Sequence, residues 1–94
     1  MSSYTWTADQ IADGIVDTLA AEHDWVSLTD IRAEWATVGV TREQIDQALR
    51  DLLVGRRISL IPESNQKTLT QEDWDAALWL GGEYRHLAGI PNLR

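Results

Sequence analysis

The sequence predicts one mainly α-helical domain with a small β-hairpin. Thr7 and Thr41 are each followed three residues later by Gln, which is the spacing of a helix-starting capping box. Thr70 precedes one Gln and two acidic residues, another typical helix start. Residues 58–61, ISLI, are β-prone, and Pro62 ends them before a polar turn. These patterns indicate helices on both sides of one short hairpin.

Length and composition narrow the class of protein further. A chain of 94 residues forms one domain around a single core. It has no Cys, which excludes disulfides and thiolate metal sites. No apolar run approaches the roughly 20 residues of a membrane span, and the first ten residues lack the basic and apolar blocks of a signal peptide. We therefore expect a cytoplasmic protein without membrane contact.

The net charge of −7 is unevenly distributed. Residues 1–31 carry six acidic and no basic residues, whereas residues 32–57 carry five Arg against four acidic residues. A protein that binds DNA by charge alone is basic overall. This chain is acidic, but its middle third is not.

Three helices are predicted before the hairpin. The first begins after Thr7 and fades near residues 22–24. Residues 25–28 are extended, and Thr29 is expected to cap a second helix that ends at Gly39. The third helix spans residues 41–54. Its apolar stripe consists of Ile45, Ala48, Leu49, Leu52 and Leu53.

The hairpin is predicted over residues 58–69, with Lys67-Thr68-Leu69 as its second strand. A fourth helix is predicted from Thr70 to a stop at Gly81-Gly82. The single domain then spans residues 1–94, with a core over about residues 7–80 and a flexible tail over residues 91–94. Leu87 and Ile90 are expected to dock on the core.

This order of elements, together with the run TREQIDQALRDLLVGRRISLIPE, resembles the winged helix-turn-helix superfamily over residues 7–69. The resemblance implies a winged helix-turn-helix with an added C-terminal helix, which forms a dimer in many such proteins. It also implies a small DNA-binding transcriptional regulator. Helix 41–54 would read the major groove and the 58–69 wing would contact the DNA backbone. The implied partners are double-stranded DNA and a second copy of the chain.

The candidate DNA-binding residues lie on the third helix, at the base of the wing and at its tip. Arg and Gln side chains can each form two hydrogen bonds with a purine base, and Thr and cationic groups can hold phosphates. The candidates are Thr41, Arg42, Glu43, Gln47, Arg50, Arg56, Arg57, Asn65, Gln66 and Lys67. A mixed-charge helix face of this kind is also typical of a plain solvated surface, and Asp46 and Asp51 would repel phosphates.

An alternative function is an acidic winged-helix module that binds a basic protein partner or inhibits by mimicking DNA. The net charge favours this alternative. No nucleophile motif, catalytic dyad or phosphate loop is present, so we expect no enzyme activity, cofactor or metal. His23 is expected to cap the first helix and His86 to be packed. Trp35 and Trp74 are assigned to the core, and Trp6 is expected to pack onto the domain from before the first helix.

Overall fold

The computed structural model describes residues 5–91. Within that range the chain forms a compact domain of four α-helices, one 3₁₀ turn and two small antiparallel sheets. In chain order the elements are α1 (Ala8–Glu22), β1 (Val26–Ser27), α2 (Leu28–Ala36), α3 (Arg42–Val54), β2 (Ser59–Ile61), the 3₁₀ turn (Gln66–Thr68), α4 (Gln71–Ala76), β3 (Leu78–Leu80), β4 (Glu83–Arg85) and β5 (Leu87–Gly89).

The first and third helices form as predicted. Each begins with a complete capping box, in which the Thr hydroxyl accepts from the N–H of the Gln and the Gln side chain accepts from the Thr N–H. Their apolar stripes face each other to form the centre of the core. The buried residues of the two stripes are Ile11, Ala12, Ile15, Leu19, Ile45, Ala48, Leu49 and Leu52.

The second helix begins at Leu28, two residues earlier than a Thr29 cap would allow. Ser27 is its N-cap, with Oγ accepting from the Asp30 N–H at 3.2 Å. The Thr29 hydroxyl instead donates to Asp73 Oδ1 at 2.6 Å, a contact across 44 residues. The predicted cap was therefore wrong because Thr29 serves a tertiary contact. The helix ends at Ala36, three residues before the predicted stop at Gly39, which has a left-handed φ of +83°.

The predicted hairpin over residues 58–69 does not form. Strand β2 pairs with β5, with Leu60 opposite Ala88, and β5 also pairs with β1, so the sheet order is β1-β5-β2. Lys67 and Thr68 lie in the exposed 3₁₀ turn. The central strand is paired on both edges and its middle residue, Ala88, is fully buried, so this position favours an apolar segment. A segment containing Lys67 and Thr68 could not fill that position.

The predicted fourth helix is shorter than expected and is not C-terminal. It begins after Thr70 as predicted, but it ends at Ala76, and residues 78–85 form a second hairpin, β3–β4. Gly81 and Gly82 have φ of +62° and +83°, as a two-residue type I′ turn requires, so they form the hairpin turn and do not stop a helix. Residues 62–86, between β2 and β5, are called the β2–β5 connection below.

The C-terminal part of the chain belongs to the core, which therefore extends beyond residue 80. Ile90 packs on the core, as predicted, whereas Leu87 is a half-buried residue of β5. Of the expected flexible tail, residues 92–94 lie outside the described residues. No helix in the described part of the chain is long and apolar enough to cross a bilayer.

Candidate functional site

The outer face of α3 carries the residues predicted to read DNA bases. Glu43, Gln47 and Arg50 are all exposed. Gln47 Nε2 donates to Asp51 Oδ1 at 2.9 Å on the same helix. Between residues 5 and 91, Arg50 forms no ion pair. Two of these three side chains therefore have no bonded partner in the described part of the chain.

Arg42 does not point freely away from α3. Its Nη1 donates to the Asp75 carbonyl at 2.6 Å and its Nη2 donates to the Ala77 carbonyl at 3.1 Å. These carbonyls lie at the C-terminal end of α4, where the last turn leaves carbonyls without helical partners and the helix dipole favours a cation. Arg42 thus fastens α4 to α3, although half of its side chain remains exposed.

Arg32 on α2 completes the same contact. Its Nε donates to the Ala76 carbonyl at 2.7 Å, and its Nη2 lies 2.7 Å from Asp46 Oδ1. Asp46 Oδ2 is also 3.9 Å from Arg42 Nε, so one carboxylate lies between both guanidinium groups. Burial lowers the pKa of the Arg32 guanidinium, and the Asp46 carboxylate opposes that shift.

Arg32, Arg42 and Asp46 are called the arginine clamp below. Three successive carbonyls, from residues 75 to 77, accept hydrogen bonds from its two arginines. From the sequence Arg42 is a candidate DNA contact and Arg32 has no assigned role. The spacing of Arg42 and Asp46 was visible as an ordinary i,i+4 pair, but no local signal identifies carbonyl partners more than 30 residues away.

Of the remaining candidate DNA-binding residues, Thr41 and Arg57 are bonded within the chain, whereas Arg56 is exposed. The Thr41 hydroxyl is occupied as the helix cap, accepting from the Gln44 N–H at 3.2 Å. Arg57 Nη1 and Nη2 lie 3.3 and 3.2 Å from Asp13 Oδ1 on α1. Arg56 is exposed in the left-handed region, with φ of +61°.

Asn65, Gln66 and Lys67 are exposed, but they do not form the tip of a hairpin. They lie at the 3₁₀ turn that leads into α4, where the Asn65 carbonyl accepts from the Thr68 N–H and hydroxyl. The ten candidates therefore do not form one continuous cationic strip that runs from α3 onto a wing tip.

A different surface is the most distinctive feature of the described chain. Trp74, Trp79 and Tyr84 are 36%, 56% and 45% exposed. Trp79 and Tyr84 are cross-strand partners in β3–β4, with ring centroids 4.8 Å apart, and Trp74 meets the Tyr84 ring edge-on at 5.9 Å. We call these three residues the aromatic surface. The assignment of Trp74 to the core was wrong: its ring packs against His86 and Tyr84, and the residue remains 36% exposed.

His86 lies beneath the aromatic surface and is only 3% exposed. Its Nδ1 accepts the Glu63 N–H at 3.1 Å, and its ring packs edge-on against Trp74 at 4.8 Å. Its backbone links β2 to the start of α2, because the His86 N–H donates to Ile61 and its carbonyl accepts from Leu28. His86 is therefore packed, as predicted, and supports Trp74 from below.

The other aromatic predictions are confirmed. Trp35 is 8% exposed in the core, and Trp6 packs edge-on against it at 5.2 Å. A Cβ at Gly14 would lie 2.4 Å from the Trp35 ring, which explains the glycine inside α1.

His23 is the C-cap of α1, as predicted, and its φ is +56°.

Among residues 5–91 no group of three His, Cys, Asp or Glu side chains has the arrangement of a metal site. Comparison with known proteins gives no match: no protein family, no curated protein sequence and no solved structure is significantly similar to this chain.

Proposed function

We propose that this chain is a winged helix whose wing consists of strands β2 and β5 and the long β2–β5 connection between them. The sheet order β1-β5-β2 supports the proposal, as does the position of α2 and α3 between β1 and β2. In this interpretation β2 and β5 are the two strands of the wing, and the 25 residues between them replace a simple loop.

We further propose that the domain is a protein-interaction module without enzyme activity and that it binds its partner through the aromatic surface. The observation that carries this proposal is the exposure of three large rings that meet edge-on, Trp79 and Tyr84 on the β3–β4 hairpin and Trp74 on α4. Trp and Tyr are the residues that most often contribute the binding energy of protein interfaces. The arginine clamp bonds the end of α4, so the helix that carries Trp74 is held in place.

The contacts of the cationic residues favour this function over major-groove binding. Arg42 and Arg57, two of the predicted DNA contacts, are bonded to the chain itself. The exposed helix face still carries Glu43 and Asp51, and the whole chain has a charge of −7. Phosphate contacts supply most of the affinity in DNA binding, and an acidic protein with few free cations makes few of them.

DNA binding by a small transcriptional regulator is the second candidate function, since Arg50 and Arg56 are exposed and form no ion pair among residues 5–91. With Lys67 they could reach DNA phosphates. Fluorescence anisotropy with mixed genomic fragments at low salt tests this candidate. Binding that falls steeply with salt and is lost on replacing all three cations by Ala would favour it.

Affinity purification from the source cells tests the interaction function. The wild-type chain should retain a protein partner that Trp79→Ala/Tyr84→Ala loses. The triple variant Arg50→Ala/Arg56→Ala/Lys67→Ala should retain that partner. Val54→Ala is the matched control, because Val54 is 83% exposed and apolar but lies outside the aromatic surface. If the ring variant retained the same proteins as the wild type, the proposed function would be wrong.

A further inference from the structure

His86 is the buried member of the chain's two histidines. It is 3% exposed, whereas His23 is an exposed residue at the end of α1. Histidine is the side chain that ordinarily changes its charge between about pH 5 and 8. Since His86 also touches Trp74, a proton taken up by its ring acts directly beneath the aromatic surface.

The hydrogen bonds of His86 suit only the neutral ring. Its Nδ1 accepts the Glu63 N–H at 3.1 Å, so Nδ1 carries no proton and Nε2 carries the single ring proton. Nε2 is buried and has no hydrogen-bond partner among residues 5–91. After protonation both ring nitrogens are donors, so Nδ1–H faces the Glu63 N–H and Nε2–H still lacks an acceptor. Because a buried cation without acceptors is strongly unfavourable, the protonated ring must change its position.

Asp73 on α4 is the carboxylate that favours the protonated ring. The pKa of the Asp73 carboxyl is lowered by hydrogen bonds from Thr29 and Thr70 and, to a smaller extent, by the positive charge of His86. The two groups therefore attract each other when both are charged. The Asp73 oxygens are already engaged, however: Oδ1 accepts from the Thr29 hydroxyl and Oδ2 from the Thr70 N–H. Asp73 thus draws a proton to the ring without satisfying it in its present position.

The other groups around His86 do not stabilise the cation where the ring lies. Glu63 Oε1 accepts a backbone N–H two residues along the chain, and Arg85 directs its guanidinium to a carbonyl of β2 and a carboxylate of β4. From β2 and α2 the contacts are backbone groups that do not titrate, the Ile61 carbonyl and the Leu28 N–H. In the described part of the chain, only the Glu63 N–H bonds a ring nitrogen of His86.

The His86 ring also fixes the position of Trp74. The two rings meet at 4.8 Å with an interplanar angle of 85°, and Trp74 in turn meets the Tyr84 ring at 5.9 Å. Close-packed side chains shift between discrete arrangements and do not deform continuously. A movement of the His86 ring is therefore passed to Trp74 and to the edge of Tyr84.

We propose that protonation of His86 breaks its hydrogen bond with the Glu63 N–H and moves Trp74, so that the aromatic surface binds its partner at neutral pH and releases it in mild acid. This inference rests on the proposed function and adds regulation of the binding surface to it. Protonation of a buried histidine is one of the ways in which protein interfaces switch with pH.

Solution NMR of the full chain between about pH 5 and 8 tests the movement without any partner. The signals followed are the imidazole protons of His86, the amide of Glu63 and the indole N–H of Trp74. We expect the Glu63 and Trp74 signals to shift with the same midpoint pH as the His86 ring, while the indole N–H of Trp35 stays in place. Asp73 does not contribute in this range, because its pKa lies below the ordinary value of 3.8.

Two variants assign the response to His86. In His86→Asn, the Asn Oδ1 replaces Nδ1 as an acceptor for the Glu63 N–H but does not titrate, so the Trp74 signal should become independent of pH. His23→Asn is the matched control, because His23 is exposed and Asn tolerates its left-handed φ of +56°. That variant should keep the wild-type pH response. The wild-type titration decides the question even if His86→Asn fails to fold, which circular dichroism establishes.

The partner recovered by affinity purification tests the regulation. We expect it to bind the wild type about tenfold more weakly at about pH 5.5 than at about pH 7.5. It should bind His86→Asn equally at both pH values.

Three NMR results would overturn the inference: a His86 ring that stays neutral down to about pH 5, a Trp74 signal that does not respond when His86 is protonated, or a pH response retained in His86→Asn. Equal affinity of the wild type for its partner at both pH values would overturn the regulatory role. The proposed function fails separately, when affinity purification yields no partner that depends on Trp79 and Tyr84, and the NMR titration still decides whether His86 moves Trp74.

Discussion

At the scale of single residues, the decisive feature is that an arginine predicted to contact DNA contacts its own chain. Arg42 on α3 and Arg32 on α2 both bind the end of α4, and Asp46 lies between them. From the sequence, Arg42 and Asp46 form an ordinary helix pair. The sequence alone could not assign their role, because the partners are backbone carbonyls whose position depends on where α4 ends.

Arg42→Ala should lower the free energy of unfolding by about 1–2 kcal/mol, since two hydrogen bonds from a charged donor are lost. Urea denaturation followed by Trp fluorescence measures this change. Arg50→Ala is the control on the same helix and should stay within about 0.5 kcal/mol of wild type. Equal effects of the two substitutions would mean that the clamp contacts do not contribute to stability.

Asp46→Ala should cost about 3 kcal/mol because it leaves the largely buried Arg32 guanidinium without a counter-ion. Replacing both partners, as Arg32→Met/Asp46→Leu, should cost less than Asp46→Ala alone, because no buried charge is then left unpaired. A double-mutant cycle of denaturation experiments gives the two values. A double variant less stable than the single variant would argue against this account of the ion pair.

Asp73 makes stability depend on pH in the acid range. The hydrogen bond from Thr29, followed by the hydrogen bond from the Thr70 backbone, lowers the pKa of the Asp73 carboxyl below its ordinary value of 3.8. A lowered folded-state pKa contributes stability that is present above the ordinary value and is lost as pH falls through the folded-state pKa. The Asp73→Asn variant should therefore be less stable than wild type at neutral pH, and it should lose less stability than wild type on acidification.

Thermal unfolding between neutral and strongly acidic pH measures this difference. The Tm values of wild type and Asp73→Asn should converge below the ordinary carboxyl pKa. Parallel curves at all pH values would contradict the assigned role of Asp73.

At the scale of elements, the helix starts that depend on local sequence signals are the ones that could be predicted. The capping boxes at Thr7 and Thr41 lie within one helical turn, and both helices begin where predicted. The hairpin failed because strand pairing is non-local: β2 had two possible partners in the sequence, and the apolar segment at residues 87–89 fits the buried centre of the sheet better than residues 67–69. Gly81-Gly82 is typical of a hairpin turn, and its interpretation as a helix stop was wrong.

The central strand β5 gives a direct test of the observed pairing. A Cβ at Gly89 would lie 2.8 Å from the Trp25 ring, so Gly89→Ala should destabilise the protein by about 1–3 kcal/mol through overpacking. Gly55→Ala is the matched control: its φ is −75° and its nearest neighbour would lie at 3.4 Å. That substitution should be neutral or slightly stabilising. Chemical denaturation compares the two, and a neutral Gly89→Ala would argue against the position assigned to β5.

At the scale of the whole molecule, the surface features favour a binding surface other than α3, the helix that was predicted to bind DNA. The acidic charge, the arginines bonded within the chain and the aromatic surface on β3–β4 together favour a protein partner over DNA. The negative net charge of the chain also indicated a protein partner as the alternative to DNA. The sequence could not locate the surface, because Trp79 and Tyr84 become neighbours only when Gly81 and Gly82 form a turn.

The most direct test of this account is solution NMR of the ¹⁵N-labelled chain, in which the indole N–H groups of its five Trp report separately. Adding the partner recovered by affinity purification should shift or broaden the signals of Trp74 and Trp79 while that of the buried Trp35 stays in place. Double-stranded DNA at low salt should perturb none of them and none of the α3 amides. Perturbation of α3 by DNA, with Trp74 and Trp79 unaffected by the partner, would contradict the account.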